Sequence, residues 1–350
     1  MIENAFYSPE FHGDYEMFDL GDFVLEEGVT LRGAQLAYKT FGTLDEAKSN
    51  AILVTTWYSG THQIWDDIYI GPERALNPER YFIVVINQLG SGLSTSPHNY
   101  PGTFSMGNFP RVRISDDVRA QEQLLRERFG IEKLALVTGG SMGAQQTYEW
   151  AVRFPEKVRR AAAIAGTAKL TPHCAIWVKA NVDTMTADPE FNDGFYTRQA
   201  DLRKAFARKA NLFALMGFSP EFWSTEKWAT LGFSSVEDFR VGFLEAYFAP
   251  MDVNDLLCQA WKWGNGDVSR NTGGDLAAAL GRITARTFVM PISTDWFFPP
   301  EDCAAEEALI PNSELRVIES NSGHLGLFNL EPEYIEQVDG YLNELLESGV

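Results

Sequence analysis

The feature that most constrains this sequence is the stretch from residue 134 to residue 153, which reads as a strand, a tight turn and a helix. Residues 134–137 form an apolar run typical of a buried strand, and residues 144–153 have a helical pattern. Between them lies Gly139-Gly140-Ser141-Met142-Gly143, a G-x-S-x-G motif. In this context the motif predicts a strained turn that lifts the Ser141 hydroxyl above the sheet, with the outer glycines letting strand and helix approach. On the pentapeptide alone, an ordinary Gly/Ser loop is the alternative.

Strand and helix signals alternate on both sides of this stretch. Strands are predicted at residues 18–25, 35–41, 51–55, 81–86, 159–165, 286–292 and 314–318. Helices are predicted from a Ser115-Asp116-Asp117 cap to residue 129, at 275–281, at 301–309 and at 332–346, while residues 1–15 read as a loose leader. Alternation of this kind predicts an α/β fold with a mostly parallel sheet covered by helices on both faces.

The alternation breaks between residues 170 and 274. This region is helical in pattern and rich in aromatic residues, among them Trp177, Trp223, Trp228, Trp261 and Trp263. We interpret residues 170–274 as a helical cap inserted into a core formed by residues 1–169 and 275–350. Most of these aromatic side chains are expected to hold the cap together, and a few to line the route to Ser141.

Two further residues complete a set that could activate a serine. A serine hydroxyl needs a base within hydrogen-bond reach, and that base needs an acid to orient it. Hydrolases with doubly wound sheets carry these in the order Ser, Asp or Glu, His. Asp295 follows the strand predicted at 286–292, and His324 follows the next one. Each alone has an ordinary alternative, a turn or helix-cap aspartate and a solvated histidine, and Glu301 and Asp302 compete weakly with Asp295.

The same reasoning predicts where a tetrahedral intermediate would be stabilised. The oxyanion needs preorganised donors. One is expected to be the backbone N–H of Met142, directly after the serine, and the other the N–H of Tyr58, in the loop after the strand at 51–55. The side chains of Trp57 and Tyr58 are expected to shape the pocket.

Composition excludes several classes of partner. The formal net charge is −19, from 29 basic and 48 acidic residues, which argues against nucleic acid or an anionic membrane as the partner. No signal-peptide pattern and no apolar run long enough to cross a bilayer is seen in the sequence. The three cysteines are few and widely spaced, which favours a reducing, cytoplasmic location and neither a disulfide framework nor a metal cluster.

Several motifs outside the serine turn carry a resemblance to a known family. They include Trp65-Asp66, Asn87-Gln-Leu-Gly90, Ile114-Ser-Asp-Asp-Val-Arg-Ala-Gln121, Glu149-Trp150-Ala151 and Asp295-Trp-Phe-Phe-Pro299. With these motifs the chain resembles the homoserine O-acetyltransferase branch of the α/β-hydrolase superfamily. The resemblance implies an α/β-hydrolase fold with an eight-stranded sheet, a helical cap, a ping-pong acyl-serine mechanism and often a homodimer. It also implies Ser141, Asp295 and His324 as the triad, with no cofactor beyond acyl-CoA as co-substrate of a transferase.

The sequence departs from that branch where the substrate is selected. Homoserine acetyltransferases follow the catalytic histidine with an aspartate, which helps to hold the ammonium group of the amino acid. Leu325 stands at this position here. Loss of a buried carboxylate should sharply weaken the binding of an ammonium-bearing substrate, so Leu325 is expected to line a different pocket.

Three functions remain open from the sequence. The first is hydrolysis of an ester, thioester or amide of a small, fairly apolar acyl compound. The second is transfer of an acyl group from acyl-CoA to a hydroxyl, which a dry aromatic pocket would favour by keeping water out. The third is a non-catalytic binding protein on a hydrolase fold, since fold does not fix function.

Overall fold

The computed structural model describes residues 3–349 and is built around one eight-stranded sheet. The strands run in the order β1-β2-β4-β3-β5-β6-β7-β8; β1 pairs with β2 and β2 with β4 in antiparallel fashion, and all other pairs are parallel. Their bounds are β1 Glu16–Val24, β2 Thr30–Phe41, β3 Ala51–Thr55, β4 Phe82–Ile86, β5 Leu136–Gly140, β6 Arg160–Ile164, β7 Arg286–Met290 and β8 Ser313–Leu315. The predicted mostly parallel sheet is confirmed.

The central strands are apolar because helices cover both of their faces. Every residue of β3, β4 and β5 is buried. Along β3, Ala51 and Leu53 pack into one hydrophobic cluster, whereas Ile52 and Val54 pack into the other. Alternate residues of a strand point to opposite faces, so a strand between two helical layers has no polar face to display.

Helices make up the rest of the regular structure. The α-helices of the described chain are α1 Pro9–His12, α2 His62–Ile68, α3 Ile114–Leu124, α4 Met142–Arg153, α5 Pro172–Thr186, α6 Arg203–Gly217, α7 Pro220–Ser224, α8 Lys227–Thr230, α9 Val236–Phe239, α10 Ala246–Phe248, α11 Val253–Gly264, α12 Leu276–Leu280, α13 Pro300–Glu307 and α14 Pro332–Glu347. Short 3₁₀ helices lie at Met106–Asn108, Pro189–Gly194, Gln199–Leu202, Val268–Thr272 and Gly323–Phe328, and π-helical turns at Leu125–Phe129 and Arg240–Glu245. The elements from α5 to the 3₁₀ helix Val268–Thr272 are all helical and lie between β6 and β7; we call this segment the cap.

Several predicted element boundaries are wrong; β2, for example, begins at Thr30 rather than at residue 35. Helix α3 begins at Ile114 rather than after a Ser115-Asp116-Asp117 cap, because Asp116 lies in the first turn and accepts the N–H of Arg113 at 2.8 Å. The strand predicted at 314–318 is only Ser313–Leu315, followed by an isolated bridge between Ile318 and Ile292. Helix α2 was absent from the predicted elements altogether.

The described part of the N-terminal segment is not a loose leader. Asn4 donates to the carbonyl of Pro250 at 2.9 Å, and the hydroxyl of Tyr7 accepts the N–H of Asp252 at 3.1 Å. The ring of Tyr7 also stacks on His98 with 4.7 Å between ring centroids. The aromatic side chains of this segment lack a helical or strand period, so the sequence pattern gave no signal that they would pack against the cap.

In residues 3–349, no helix combines the length and the apolar character that a bilayer crossing requires.

Candidate active site

Ser141 lies on the turn between β5 and α4, in the strained conformation that the sequence predicts. Its φ is 56° and its ψ is −120°, a left-handed region that a side chain enters at a cost. Close packing holds it there. A Cβ added to Gly139 would lie 2.7 Å from the carbonyl carbon of Gly143, and one added to Gly143 would lie 2.4 Å from the carbonyl oxygen of Thr55. Glycine is therefore required at both positions.

The imidazole of His324 lies between Ser141 and Asp295. His324 Nε2 is 2.9 Å from Ser141 Oγ, and His324 Nδ1 is 2.6 Å from Asp295 Oδ2. Asp295 follows β7 and His324 lies in the 3₁₀ helix after β8, so both occupy the carboxyl edge of the sheet, where ligands meet open α/β sheets. A carboxylate on Nδ1 favours the tautomer that leaves Nε2 free to accept the serine proton.

Burial and backbone donors fix the orientation of Asp295. Its Oδ1 accepts the N–H groups of Phe297 at 2.7 Å and Phe298 at 3.1 Å, which leaves Oδ2 for the imidazole. Ser141, Asp295 and His324 are 3%, 2% and 5% exposed. Glu301 and Asp302, which the sequence left as weaker competitors, lie in the first turn of α13.

Both predicted oxyanion donors belong to residues close to Ser141: Met142 follows it in the sequence, and Tyr58 lines the same cavity. Met142 is the first residue of α4, where a backbone N–H has no acceptor within its own helix. Tyr58 lies in the loop after β3 and lines the same cavity as Ser141. Within residues 3–349 neither N–H donates to a protein acceptor. Both are therefore available to an incoming oxyanion.

Polar contacts hold the loop after β3 in place. The carbonyl of Thr56 accepts from Gln88 Nε2 at 2.8 Å and from Gln146 Nε2 at 2.9 Å, and the carbonyl of Trp57 accepts from Gln88 at 3.2 Å. These glutamines are fully buried. Sequence reasoning did not find them, because a buried glutamine leaves no periodic signal of its own.

A small cavity opens beside Ser141. Trp57, Tyr58 and Leu325 line it, as the sequence predicts for these residues. The cap contributes five of the aromatic rings in the wall, Phe213, Phe243, Tyr247, Phe248 and Trp263, together with the aliphatic side chain of Leu244. No aspartate, glutamate, lysine or arginine is among the described residues that line this cavity.

The tryptophans of the cap differ in what they contact. Trp263 lines the cavity, and Trp177 packs behind it with 5.1 Å between ring centroids. Trp223 packs against Phe218 and Phe222 inside the cap, and the guanidinium of Arg111 lies over the ring of Trp261. Most of these rings therefore stabilise the cap rather than face the cavity.

Comparison with known proteins assigns the class. Residues 58–329 match the alpha/beta hydrolase fold family. The chain belongs to this family.

The chain is also similar to individual enzymes whose reactions are named. A probable esterase of Corynebacterium glutamicum is 58% identical over 99% of this chain and 100% of its own length. The ethyl acetate hydrolase of Pseudomonas veronii is 52% identical over 99% of both chains. The crystal structure of an acetylester hydrolase from Corynebacterium glutamicum superposes with a TM-score of 0.98 at 57% identity, covering 99% of this chain and 100% of that one.

The resemblance to the homoserine O-acetyltransferase branch is also confirmed. The homoserine O-acetyltransferase of Thermobifida fusca is 33% identical over 95% of this chain and 94% of its own length. The chain is thus similar to enzymes of both kinds, with higher identity to the esterases.

Proposed function

We propose that this protein is a serine esterase that hydrolyses small, uncharged esters through an acyl-Ser141 intermediate. The observation that carries the proposal is the His324 imidazole, hydrogen-bonded to both Ser141 Oγ and Asp295 at the edge of an apolar cavity. The names of the relatives above 50% identity support an ester as the substrate.

The geometry supplies each step of the reaction. His324 Nε2 accepts the Ser141 proton while Oγ attacks the ester carbonyl carbon. The N–H groups of Tyr58 and Met142 stabilise the oxyanion. The intermediate collapses, the carbon–oxygen bond to the alcohol breaks, and the imidazolium protonates the leaving alcohol. A water molecule then attacks the acyl-enzyme by the same route, releasing the acid and restoring the Ser141 hydroxyl.

The cavity wall favours a small neutral substrate. Leu325 is 6% exposed and lines the cavity, at the position where the homoserine acetyltransferase pattern has an aspartate. An ammonium or carboxylate group would lose its hydration there without gaining a partner. We therefore propose a small-molecule ester with an apolar acyl group and an uncharged alcohol.

O-acyl transfer from acyl-CoA is the second candidate. It uses the same acyl-enzyme and differs only in the second nucleophile. The aromatic cavity favours it, because a wall that excludes water gives an alcohol an advantage. Acyl-CoA would be a co-substrate in that case, and neither reaction as written requires a metal or another cofactor. The hydrogen-bonded triad argues against the third possibility, a non-catalytic binding protein.

The partners and location that accompany this proposal follow from composition. A net charge of −19 disfavours nucleic acid and anionic membrane surfaces. We propose a cytoplasmic enzyme, since its three cysteines are unpaired, and a homodimer, since the resemblance implies one.

A serine-directed fluorophosphonate probe tests the nucleophile. We expect the wild type and Ser224→Ala, which changes an exposed serine of the cap, to be labelled, and Ser141→Ala and His324→Ala to be unlabelled and inactive. Labelling of Ser141→Ala at the wild-type level would reject the assignment. Assays with small acetate esters, and with acetyl-CoA in the presence and absence of short alcohols, then separate hydrolase from transferase by the product formed.

A further inference from the structure

A lysine is buried directly behind the wall of the candidate active site. Lys209, on α6 of the cap, is completely buried. Its Nζ is hydrogen-bonded to Tyr58 Oη at 2.9 Å and donates to Asn181 Oδ1 at 2.6 Å. Asn181, on α5, also donates from Nδ2 to Tyr58 Oη at 3.3 Å. The three side chains form a closed set of hydrogen bonds between the cap and the loop after β3.

No carboxylate balances this amine. Within residues 3–349, Lys209 takes part in no ion pair, in contrast to Lys262, the other fully buried lysine, which lies 2.5 Å from Asp117. Burial lowers the pKa of the Lys209 amine well below its usual range. The ring centroids of Tyr58, Phe213 and Phe248 lie 4.5–4.6 Å from Nζ, where the rings partly offset the charge whenever the amine is protonated. A methionine of similar length would fit such a site without the desolvation cost, so the lysine costs stability.

The position of the cluster formed by Lys209, Asn181 and Tyr58 indicates a function for the buried lysine. Tyr58, Phe213 and Phe248 also line the cavity beside Ser141. Lys209 packs against these three rings, which separate it from the cavity. Tyr58 is the residue whose backbone N–H is proposed to bind the oxyanion. Its side chain points into the cap, where it finds Lys209 and Asn181, while its N–H has no protein acceptor within residues 3–349.

We infer that Lys209 is a positioning residue for the oxyanion hole, holding Tyr58 by its hydroxyl so that the Tyr58 N–H points at the developing oxyanion. Asn181 assists by donating a hydrogen bond to the same hydroxyl. The inference rests on the proposed esterase function and adds a mechanical link, because two cap helices fix the orientation of a donor that belongs to the core. Lys209 itself touches no substrate. A donor at this position contributes only if it is preorganised, and losing one entirely costs about 10²–10³ in kcat.

Lys209→Met tests the inference, with Lys204→Met as the matched control because Lys204 is an exposed lysine of the same helix. For a small acetate ester we expect Lys209→Met to lower kcat about 10-fold with KM unchanged, as loss of an interaction made in the transition state requires. A trifluoromethyl ketone, which Ser141 converts to an oxyanion adduct, should bind about 10-fold more weakly, and the corresponding methyl ketone equally well. Lys204→Met should match the wild type in all three measurements.

A second variant keeps the inference testable if Lys209→Met does not fold. Tyr58→Phe removes only the hydroxyl and should reproduce the loss in kcat. If Lys209→Met does fold, the two losses should not multiply in the double variant, since both substitutions remove the same link. Wild-type kcat in Tyr58→Phe, multiplied losses, or a rise in KM alone would overturn the inference. Such a result alongside an inactive Ser141→Ala would leave the proposed function standing, whereas an active Ser141→Ala would reject the function itself.

Discussion

At the scale of single residues, Asp295 shows how the local backbone prepares a side chain for chemistry. The N–H groups two and three residues further along the chain both bind Oδ1, so Oδ2 has one direction left, toward His324. The two backbone N–H groups therefore orient the carboxylate, and no further side chain is needed for it to hold one imidazole tautomer.

Asp295→Asn should lower kcat for ester hydrolysis about 10⁴-fold. An amide can turn its N–H toward His324 Nδ1, which favours the wrong tautomer. Steady-state kinetics measure the loss, and thermal unfolding should show that the fold persists. Asp302→Asn, a nearby acid outside the triad, is the control and should retain activity; comparable losses in both variants would contradict the assignment of Asp295.

Leu325→Asp should shift the substrate preference toward alcohols that carry an ammonium group. The new carboxylate would face the cavity and could pair with that group. Competition between an amino-alcohol acetate and ethyl acetate, expressed as a ratio of kcat/KM values, measures the shift. We expect the ratio to rise at least about 10-fold, with Leu325→Asn, which adds polarity without charge, raising it less. An unchanged ratio would argue that Leu325 does not select the substrate.

The sequence identified the residues of the triad but not those that support them. Ser141, Asp295 and His324 could be predicted because a turn motif and the ends of successive strands restrict where they stand. Lys209 and Asn181 could not be predicted, because helical periodicity shows which face of a helix is buried but not which polar group of another element packs against it. The role of Phe213 as cavity wall was missed for the same reason.

At the scale of elements, the cap helices do more than cover the sheet. Besides Lys209 on α6, Lys262 on α11 reaches the core, where it pairs with Asp117 and donates to the carbonyl of Leu89 at 2.7 Å. Despite this pairing, burial raises the pKa of Asp117 to about 6. Two cap helices therefore insert amines into the layer that carries the active-site loops.

The stability difference between Lys209→Met and the wild type should depend on pH. Burial lowers the folded-state pKa of this amine, whereas the unfolded chain keeps a pKa of about 10.4. Between these two pKa values the unfolded chain binds the proton and the folded protein does not. The wild type therefore gains stability as pH rises between the folded-state and unfolded-state pKa values, by up to about 1.4 kcal/mol per pH unit. Urea unfolding from pH 7 to pH 10 should show the advantage of Lys209→Met shrinking; a constant difference would contradict the shift.

Element type was easier to predict than element ends. The run from residue 82 to residue 86 is apolar throughout, so β4 could be read directly. The start of α3 could not, because Asp116 and Asp117 look like capping residues. Instead Asp117 Oδ1 accepts the N–H of Leu89 at 2.9 Å, a contact 28 residues away that local pattern cannot reveal.

At the scale of the whole molecule, the N-terminal segment connects the cap to the core. Tyr7 stacks on His98, whose Nδ1 lies 2.5 Å from Asp255 Oδ2 on α11. His12, further along the segment, lies 3.1 Å from the hydroxyl of Thr61. One short segment thus contacts the cap helix and the loop that follows β3.

Tyr7→Ala should destabilise the protein by about 2 kcal/mol, through lost packing of a half-buried ring and an uncapped N–H of Asp252. Chemical denaturation measures the difference. Phe11→Ala in the same segment changes a ring that is 55% exposed and should cost less than about 0.5 kcal/mol. Equal effects would show that the segment contributes only general apolar cover.

The apolar wall of the cavity also bears on how the reaction ends. An ester enters as a neutral molecule, but its acid product loses a proton at physiological pH. Among the groups lining the chamber only an imidazole could offset the resulting negative charge, so the anion is better solvated outside. Acetate and similar anions should therefore be weak product inhibitors, and turnover should continue as they accumulate.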